Sequence, residues 1–208
     1  MARSGKTKSS NRWLQEHASD SYVHQAARDG YRSRAVYKLI ELNEKEQLIQ
    51  PQSVIIELGA APGGWTQYLS RECGDNSLII ATDILPMDSL PGVYQVTGDF
   101  TEQATADRIE EIMKNREADL VLSDMAPNLS GVGVSDQYRA LALAELALDC
   151  ATHYLHENGR FVVKVFQGEG FDDYLSQVRK QFRHVKVRKP TASRSRSREV
   201  YLVARNLI

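Results

Sequence analysis

The sequence predicts an α/β protein: a seven-stranded, mostly parallel sheet with an antiparallel last strand and helices on both faces. Three observations predict it. From residue 54 onward, short apolar runs alternate with stretches of helical period. Several of the runs are nearly continuous in apolar, β-branched residues, as strands of a parallel sheet covered on both faces must be. The last two runs are joined only by the basic stretch 189–199, too short for a helical crossover, so a hairpin-like return is the simpler solution.

Taken in order, residues 1–11 are small, polar and basic and read as a disordered tail. Residues 11–27 carry Trp13, Leu14, Tyr22 and Val23 and suit a short helix. Residues 34–49 place Val36, Leu39, Ile40 and Leu42 at helical spacing, with Pro51 as a stop. The first strand is 54–58, followed by a turn at 59–64 and a helix at 65–73. Strands follow at 78–82 and 93–96, an amphipathic helix at 102–115, and a fourth strand at 120–123. A long Ala/Leu helix spans 136–155, a fifth strand 159–165 and a helix 171–182. Strands at 185–188 and 200–204 end the chain. There is no internal repeat and no linker, so residues 1–208 read as one domain, with 1–50 as tail and helical extension and 51–208 as core.

At 208 residues and 42% apolar composition the chain can bury a substantial core. No apolar run approaches the roughly 20 residues that span a bilayer, and the basic N-terminus has no apolar stretch behind it. No membrane association and no secretion are expected. Cys73 and Cys150 form neither a disulfide framework nor a metal-ligand spacing, so both read as buried thiols of a cytoplasmic protein and no metal is expected. The sequon-like triplet at 128–130 reads as chance on the same ground.

Net charge is −1, yet its distribution is uneven. Residues 178–198 hold Arg179, Lys180, Arg183, Lys186, Arg188, Lys189, Arg194, Arg196 and Arg198 and no acid. Residues 1–38 are also basic. Two basic segments within a neutral total suggest a polyanionic partner.

The turn E-L-G-A-A-P-G-G at 57–64 lies between a strand and a helix. Gly59 and Gly63 let the backbone approach a ligand closely. The second glycine comes four residues after the first, which is not the dinucleotide fingerprint, and Pro62 removes an N–H that a phosphate cradle would use. A nucleoside cofactor without a pyrophosphate is favoured. Asp83 closes the second strand where an acid would take ribose hydroxyls. Asp99 follows the third, in the neighbouring place for an adenine edge.

Asp124 ends the fourth strand beside this loop. Lys164 lies inside an apolar strand, F-V-V-K-V-F, where an ammonium is costly unless paired or functional. Glu199 is the first acid after the long basic run, and Lys38 stands among Ala35, Val36, Leu39 and Ile40.

The segments S-R-A-V-Y-K-L (33–39), E-L-G-A-A-P-G-G-W (57–65), S-D-M-A-P-N-L-S-G (123–131), F-V-V-K-V-F-Q-G-E-G-F (161–171) and S-R-S-R-E-V-Y (195–201) carry a resemblance. Over essentially its whole length the chain resembles the RrmJ/FtsJ-type ribosomal RNA 2′-O-ribose methyltransferases. The resemblance implies a Rossmann-like methyltransferase fold, S-adenosylmethionine as cofactor, and a uridine of large-subunit rRNA in the assembled 50S particle as substrate, with no DNA partner. It implies a Lys-Asp-Lys-Glu catalytic set at Lys38, Asp124, Lys164 and Glu199. It implies cofactor contacts at Gly63, Trp65, Asp83, Asp99 and Asp124, to which the loop adds Gly59.

Lys164 is the expected general base, oriented by Asp124 and Glu199 and helped to shed its proton by the Lys38 ammonium. Arg32, Arg34, Arg194, Arg196 and Arg198 flank these positions and are expected to hold RNA phosphates. A tRNA or cap 2′-O-methyltransferase and a non-catalytic RNA-binding assembly factor are the alternatives. The four intact catalytic positions argue against the second.

Overall fold

The computed structural model describes residues 20–127 and 133–208. The expected tail, the start of the first helix with Trp13 and Leu14, and the sequon-like triplet lie outside the described residues. Helix α1 spans Ser21–Asp29. Asp20 caps it, with its carboxylate accepting from the Tyr22 N–H at 3.1 Å. Helix α2 spans Val36–Glu46. It stops well before Pro51, because Gln47 turns left-handed at φ 47° and the Asn43 side chain accepts from the Ile49 N–H.

The core alternates β1 (Val54–Leu58), α3 (Gly64–Cys73), β2 (Leu78–Asp83), β3 (Val93–Thr97), α4 (Gln103–Met113), β4 (Ala118–Ser123), α5 (Gly133–Tyr154), β5 (Leu155–Phe166), α6 (Phe171–Gln181), β6 (Phe182–Arg188) and β7 (Glu199–Leu207). Strand order is β3-β2-β1-β4-β5-β7-β6. β1 to β5 pair in parallel, and β7 inserts antiparallel between β5 and β6. The antiparallel last strand is as expected. Strand order reverses between β1 and β4, and in open α/β sheets ligands gather at the carboxyl ends there.

Period-two alternation sorts the sheet into two buried layers. Ile55, Ile79, Leu122, Val162 and Tyr201 face α2 and α3. Ile56, Ile80, Val121, Phe161 and Val163 face α4, α5 and α6. Both cysteines are free and buried, as expected.

Glu46 ends α2 with a side chain only 2% exposed. It pairs with Lys186 at 3.0 Å, Arg188 at 2.5 Å and Arg205 at 3.4 Å. Burial pushes its carboxyl up, but the lysine and arginine beside it outweigh burial and hold it below the ordinary carboxylate value. This pins α2 to the outer strands and answers, from 140 residues away, part of a basic run that has no local acid.

Candidate active site

At the β1/β4 switch a cavity of about 560 Å³ opens, lined by Gly59, Thr82, Asp83, Asp99, Asp124 and Met125 among others. The turn after β1 is folded back on the sheet: Gly59 and Ala60 N–H both donate to the Thr82 carbonyl. Gly59 has φ +78°, and a Cβ there would lie 2.9 Å from Met125. Only glycine serves both conditions. Asp83 braces the rim, accepting from the Ala61 N–H at 2.9 Å and the Leu85 N–H at 2.8 Å. A carboxylate has lone pairs left over for a ligand hydroxyl. Asp99 is exposed at the lip, and hydrogen bonds from the Thr101 N–H and hydroxyl hold its carboxyl below the usual range. The Thr82 hydroxyl is buried with no partner among the described residues.

Beneath this turn lies Glu57, 1% exposed, which accepts from the Thr66 hydroxyl at 2.7 Å. Burial first, then the Asp124 and Asp83 charges, push its carboxyl up to about 8 against the Thr66 hydrogen bond.

Two sequence-predicted cofactor positions sit differently from expectation. The Trp65 indole is turned away from the cavity: its N–H donates to the Ala35 carbonyl at 2.8 Å, and its ring packs 5.9 Å from Tyr201. What Trp65 offers a ligand is its backbone N–H in the first turn of α3, where no intrahelical carbonyl is available. Gly63 caps α3 at φ +101°, outside the cavity lining, and a Cβ there would meet the Arg32 guanidinium at 2.8 Å.

Asp124 joins the cavity to a second cluster. Lys38, Asp124, Lys164 and Glu199, spread over positions 38 to 199 of the sequence, converge at the carboxyl ends of β4 and β5. Lys164 Nζ lies 3.0 Å from Asp124 Oδ1 and 2.5 Å from the Asp124 carbonyl oxygen. Lys38 Nζ lies 2.7 Å from Glu199 Oε1, which also accepts from the Ser193 hydroxyl at 2.8 Å. The β5–β7 register sets this up. Lys164 stands opposite Tyr201 and Phe166 opposite Glu199, so Lys164, Tyr201 and Glu199 share one face.

Tyr201 is a member of the cluster that the sequence reading missed. Its hydroxyl donates to Asp124 Oδ1 at 2.7 Å, and Lys38 Nζ stands 5.8 Å over its ring. Burial and the Asp124 and Glu199 charges push the phenol well above its ordinary value, so it stays a donor. The signal was available: Tyr201 follows Glu199 by two, the strand period, in the same motif. Burial raises the Asp124 carboxyl, but the Lys164 and Lys38 ammoniums and the bonds from Tyr201 and Lys164 win and hold it below the ordinary range.

The five arginines divide. Arg32 donates to the Asp88 carbonyl at 2.7 Å and the Ser89 carbonyl at 3.3 Å, bracing the loop after β2. Arg34 is 16% exposed, pairs with Asp20 at 2.7 Å, donates to the Ala192 carbonyl and lies 5.5 Å over the Tyr22 ring. Against expectation, both guanidiniums are committed to struts within the fold. Arg194, Arg196 and Arg198 lie at or near the surface just ahead of Glu199. Among the described residues no cluster of potential metal ligands occurs, and no helix is long and apolar enough to cross a membrane.

The chain has relatives among known proteins. A Pseudomonas aeruginosa protein named Ribosomal RNA large subunit methyltransferase E is 56% identical over 205 residues, covering 99% of this chain and 98% of its own. A Marinobacter nauticus protein of the same name is 54% identical with the same coverage. A solved Plasmodium falciparum chain described as a ribosomal RNA methyltransferase superposes with a TM-score of 0.76 at 28% identity, covering 85% of this chain and 98% of that one. The family profile described as FtsJ-like methyltransferase matches residues 31–207. The fold, the cavity at the strand-order reversal and these matches agree: the chain belongs to the FtsJ-like methyltransferase family.

Proposed function

We propose that this protein transfers a methyl group from S-adenosylmethionine to a ribose 2′-hydroxyl of large-subunit ribosomal RNA, a uridine in the assembled particle, acting as one cytoplasmic domain over residues 1–208. The observation that carries the reading is the convergence of two ammoniums, Lys38 and Lys164, with two carboxylates, Glu199 and Asp124, the latter also lining the cavity. The names of the relatives support the RNA substrate.

The cavity suits such a cofactor. Gly59 leaves room that a Cβ would fill, Asp83 and Asp99 present acceptors for hydroxyl and amino donors, and Thr82 holds an orphaned hydroxyl. When bound, the cofactor supplies a methyl on a sulfonium that is itself a leaving group. The chain's task is then positioning and proton removal. Lys164 is assigned the proton at the 2′-oxygen, which its nitrogen takes as the neutral amine after first releasing one ammonium proton to solvent. Its Nζ donates to Asp124 Oδ1 and to the Asp124 backbone carbonyl, which fixes it at the carboxyl end of β4. Tyr201 fixes the Asp124 carboxylate, and Lys38 and Ser193 fix Glu199 as an acceptor for the hydroxyl. Lys164 is only 8% exposed, so little water reaches it. Arg194, Arg196 and Arg198 are assigned the RNA backbone.

The test incubates the protein and methyl-labelled cofactor with naked large-subunit rRNA, large-subunit particles and tRNA, then digests to nucleosides. Label in a 2′-O-methyluridine from rRNA is expected. Label in none overturns the enzyme reading, and label in tRNA alone overturns the substrate.

A further inference from the structure

The sheet face that carries the reacting cluster continues away from it as a basic surface. On β5, β7 and β6 the register stacks three rows of same-face residues. The first row is Lys164, Tyr201 and Arg188. The second is Val162, Val203 and Lys186. The third is Arg160, Arg205 and His184. The two valines are buried, whereas the third row reaches solvent. Arg160 lies four residues along β5 from Lys164, about 13 Å at the rise of a strand.

The third row is a costly arrangement. Arg160 and Arg205 stand directly opposite one another, and like charges so placed destabilise a sheet. Their repulsion shows on Arg160: burial, and then the Arg205 charge, hold its guanidinium below the ordinary value, with Asp119 pulling the other way. Glu46 answers Lys186, Arg188 and Arg205, but three cations share its one charge. Its side chain is 2% exposed, while theirs are 54%, 34% and 33% exposed. The acid is turned inward and the cations outward, so solvent meets a positive surface. Protection of a bare sheet edge accounts for a lysine on β6, the terminal strand. It does not account for Arg160, which sits on β5, two strands in.

Resting on the RNA reading above, we infer that Arg160, Arg205, Lys186 and Arg188 form a docking surface for the rRNA phosphodiester backbone outside the reacting nucleotide. Guanidiniums suit phosphate, and the three cations on Glu46 keep donors beyond those it takes. Such contacts position an RNA without reading its sequence. The surface shares a face with Lys164, so RNA gripped here is held at a fixed offset from the reacting hydroxyl. The repulsion within the row is relieved when the polyanion arrives.

The test replaces Arg160 and Arg205 by glutamine, singly and together. The charge goes, and Glu46 retains Lys186 and Arg188. Lys186→Gln, which leaves Arg188 and Arg205 on Glu46, is the second variant, used if the pair does not fold. Affinity for a transcribed fragment of large-subunit rRNA, for an unrelated transcript of equal length and for large-subunit particles is titrated across salt concentrations. Thermal melts are recorded on the same preparations.

The double variant is expected to bind the rRNA transcript about tenfold more weakly at roughly 100 mM salt, with a salt slope shallower by about 1.4–1.8. The unrelated transcript should lose as much, because phosphates carry no sequence. Tm is expected to hold or rise, since a like-charge pair has been removed. Unchanged RNA affinity in the folded variants overturns the inference. So does weaker binding with an unchanged salt slope, which excludes phosphate contacts. A loss confined to particles, with naked RNA bound normally, assigns the surface to a ribosomal protein and overturns it too. The two readings fail separately. Methylation of large-subunit rRNA with no effect of these variants on RNA affinity sinks only the docking surface. An affinity that depends on these cations, without methylation of any RNA, sinks only the activity.

Discussion

Glu57→Gln isolates the buried acid beneath the turn after β1. The Glu57 carboxyl rises from about 4.5 to about 8 on folding, chiefly through burial. A group raised in the folded state holds a proton that the unfolded chain releases. Its stabilising contribution is complete below about 4.5 and is lost as pH rises through about 8. Over that window the slope is about 1.4 kcal/mol per pH unit, so from roughly pH 6 to pH 8 the loss is about 2–3 kcal/mol. Glutamine keeps the shape, accepts from Thr66 through its amide oxygen and has no proton to lose. Urea unfolding of both proteins between about pH 6 and 9 reads the difference, which removes groups titrating in common. Wild type should fall relative to the variant by that amount and level off above about pH 8. A flat difference, or a variant that declines as steeply as wild type, refutes the claim that Glu57 is protonated beneath the cofactor turn.

Tyr201→Phe removes the hydroxyl donated to buried Asp124. A bond to a charged acceptor contributes about 1.5–3 kcal/mol, so Tm should drop about 3–10 °C near neutrality. Because the Asp124 carboxyl is lowered on folding, its contribution is present above the ordinary carboxylate value and lost as pH falls through its folded value. The defect should therefore shrink in acid, and thermal melts at neutral and acid pH check this. Gly59→Ala places a Cβ 2.9 Å from Met125 at φ +78°. Calorimetric titration should show cofactor affinity at least tenfold weaker, with a stability cost of about 1–3 kcal/mol.

The fold was legible because strand period and apolar continuity are local signals. β1 was predicted to the residue, and every described element was found, with ends off by up to a few residues. The ends that moved have local causes. α2 stops at the left-handed Gln47, which no proline or glycine announces, and β5 begins at Leu155, before the Gly159 taken as its start. The four-residue cluster was legible because its members sit in distinctive strings. Less legible was whatever depends on pairing across the fold. Counting charges along 178–198 could not see Glu46 reaching Lys186 and Arg188. Nor could it see Asp20 and the backbone carbonyls absorbing Arg34 and Arg32. Nor did the string containing Trp65 show that its side chain ties α2 to α3 beside Tyr201. Tyr201 itself passed as an ordinary strand aromatic, since its role comes from lying opposite Lys164 in the register.

The most direct test of the account is single-turnover methyl transfer by Lys164→Ala, with cofactor affinity measured on the same preparation. Lys164 lies in β5 and is not among the residues lining the cavity. Cofactor binding should therefore stay within about twofold of wild type while transfer falls by about 10²–10⁴. Near-normal transfer with intact cofactor binding would contradict the assignment of Lys164 as the base.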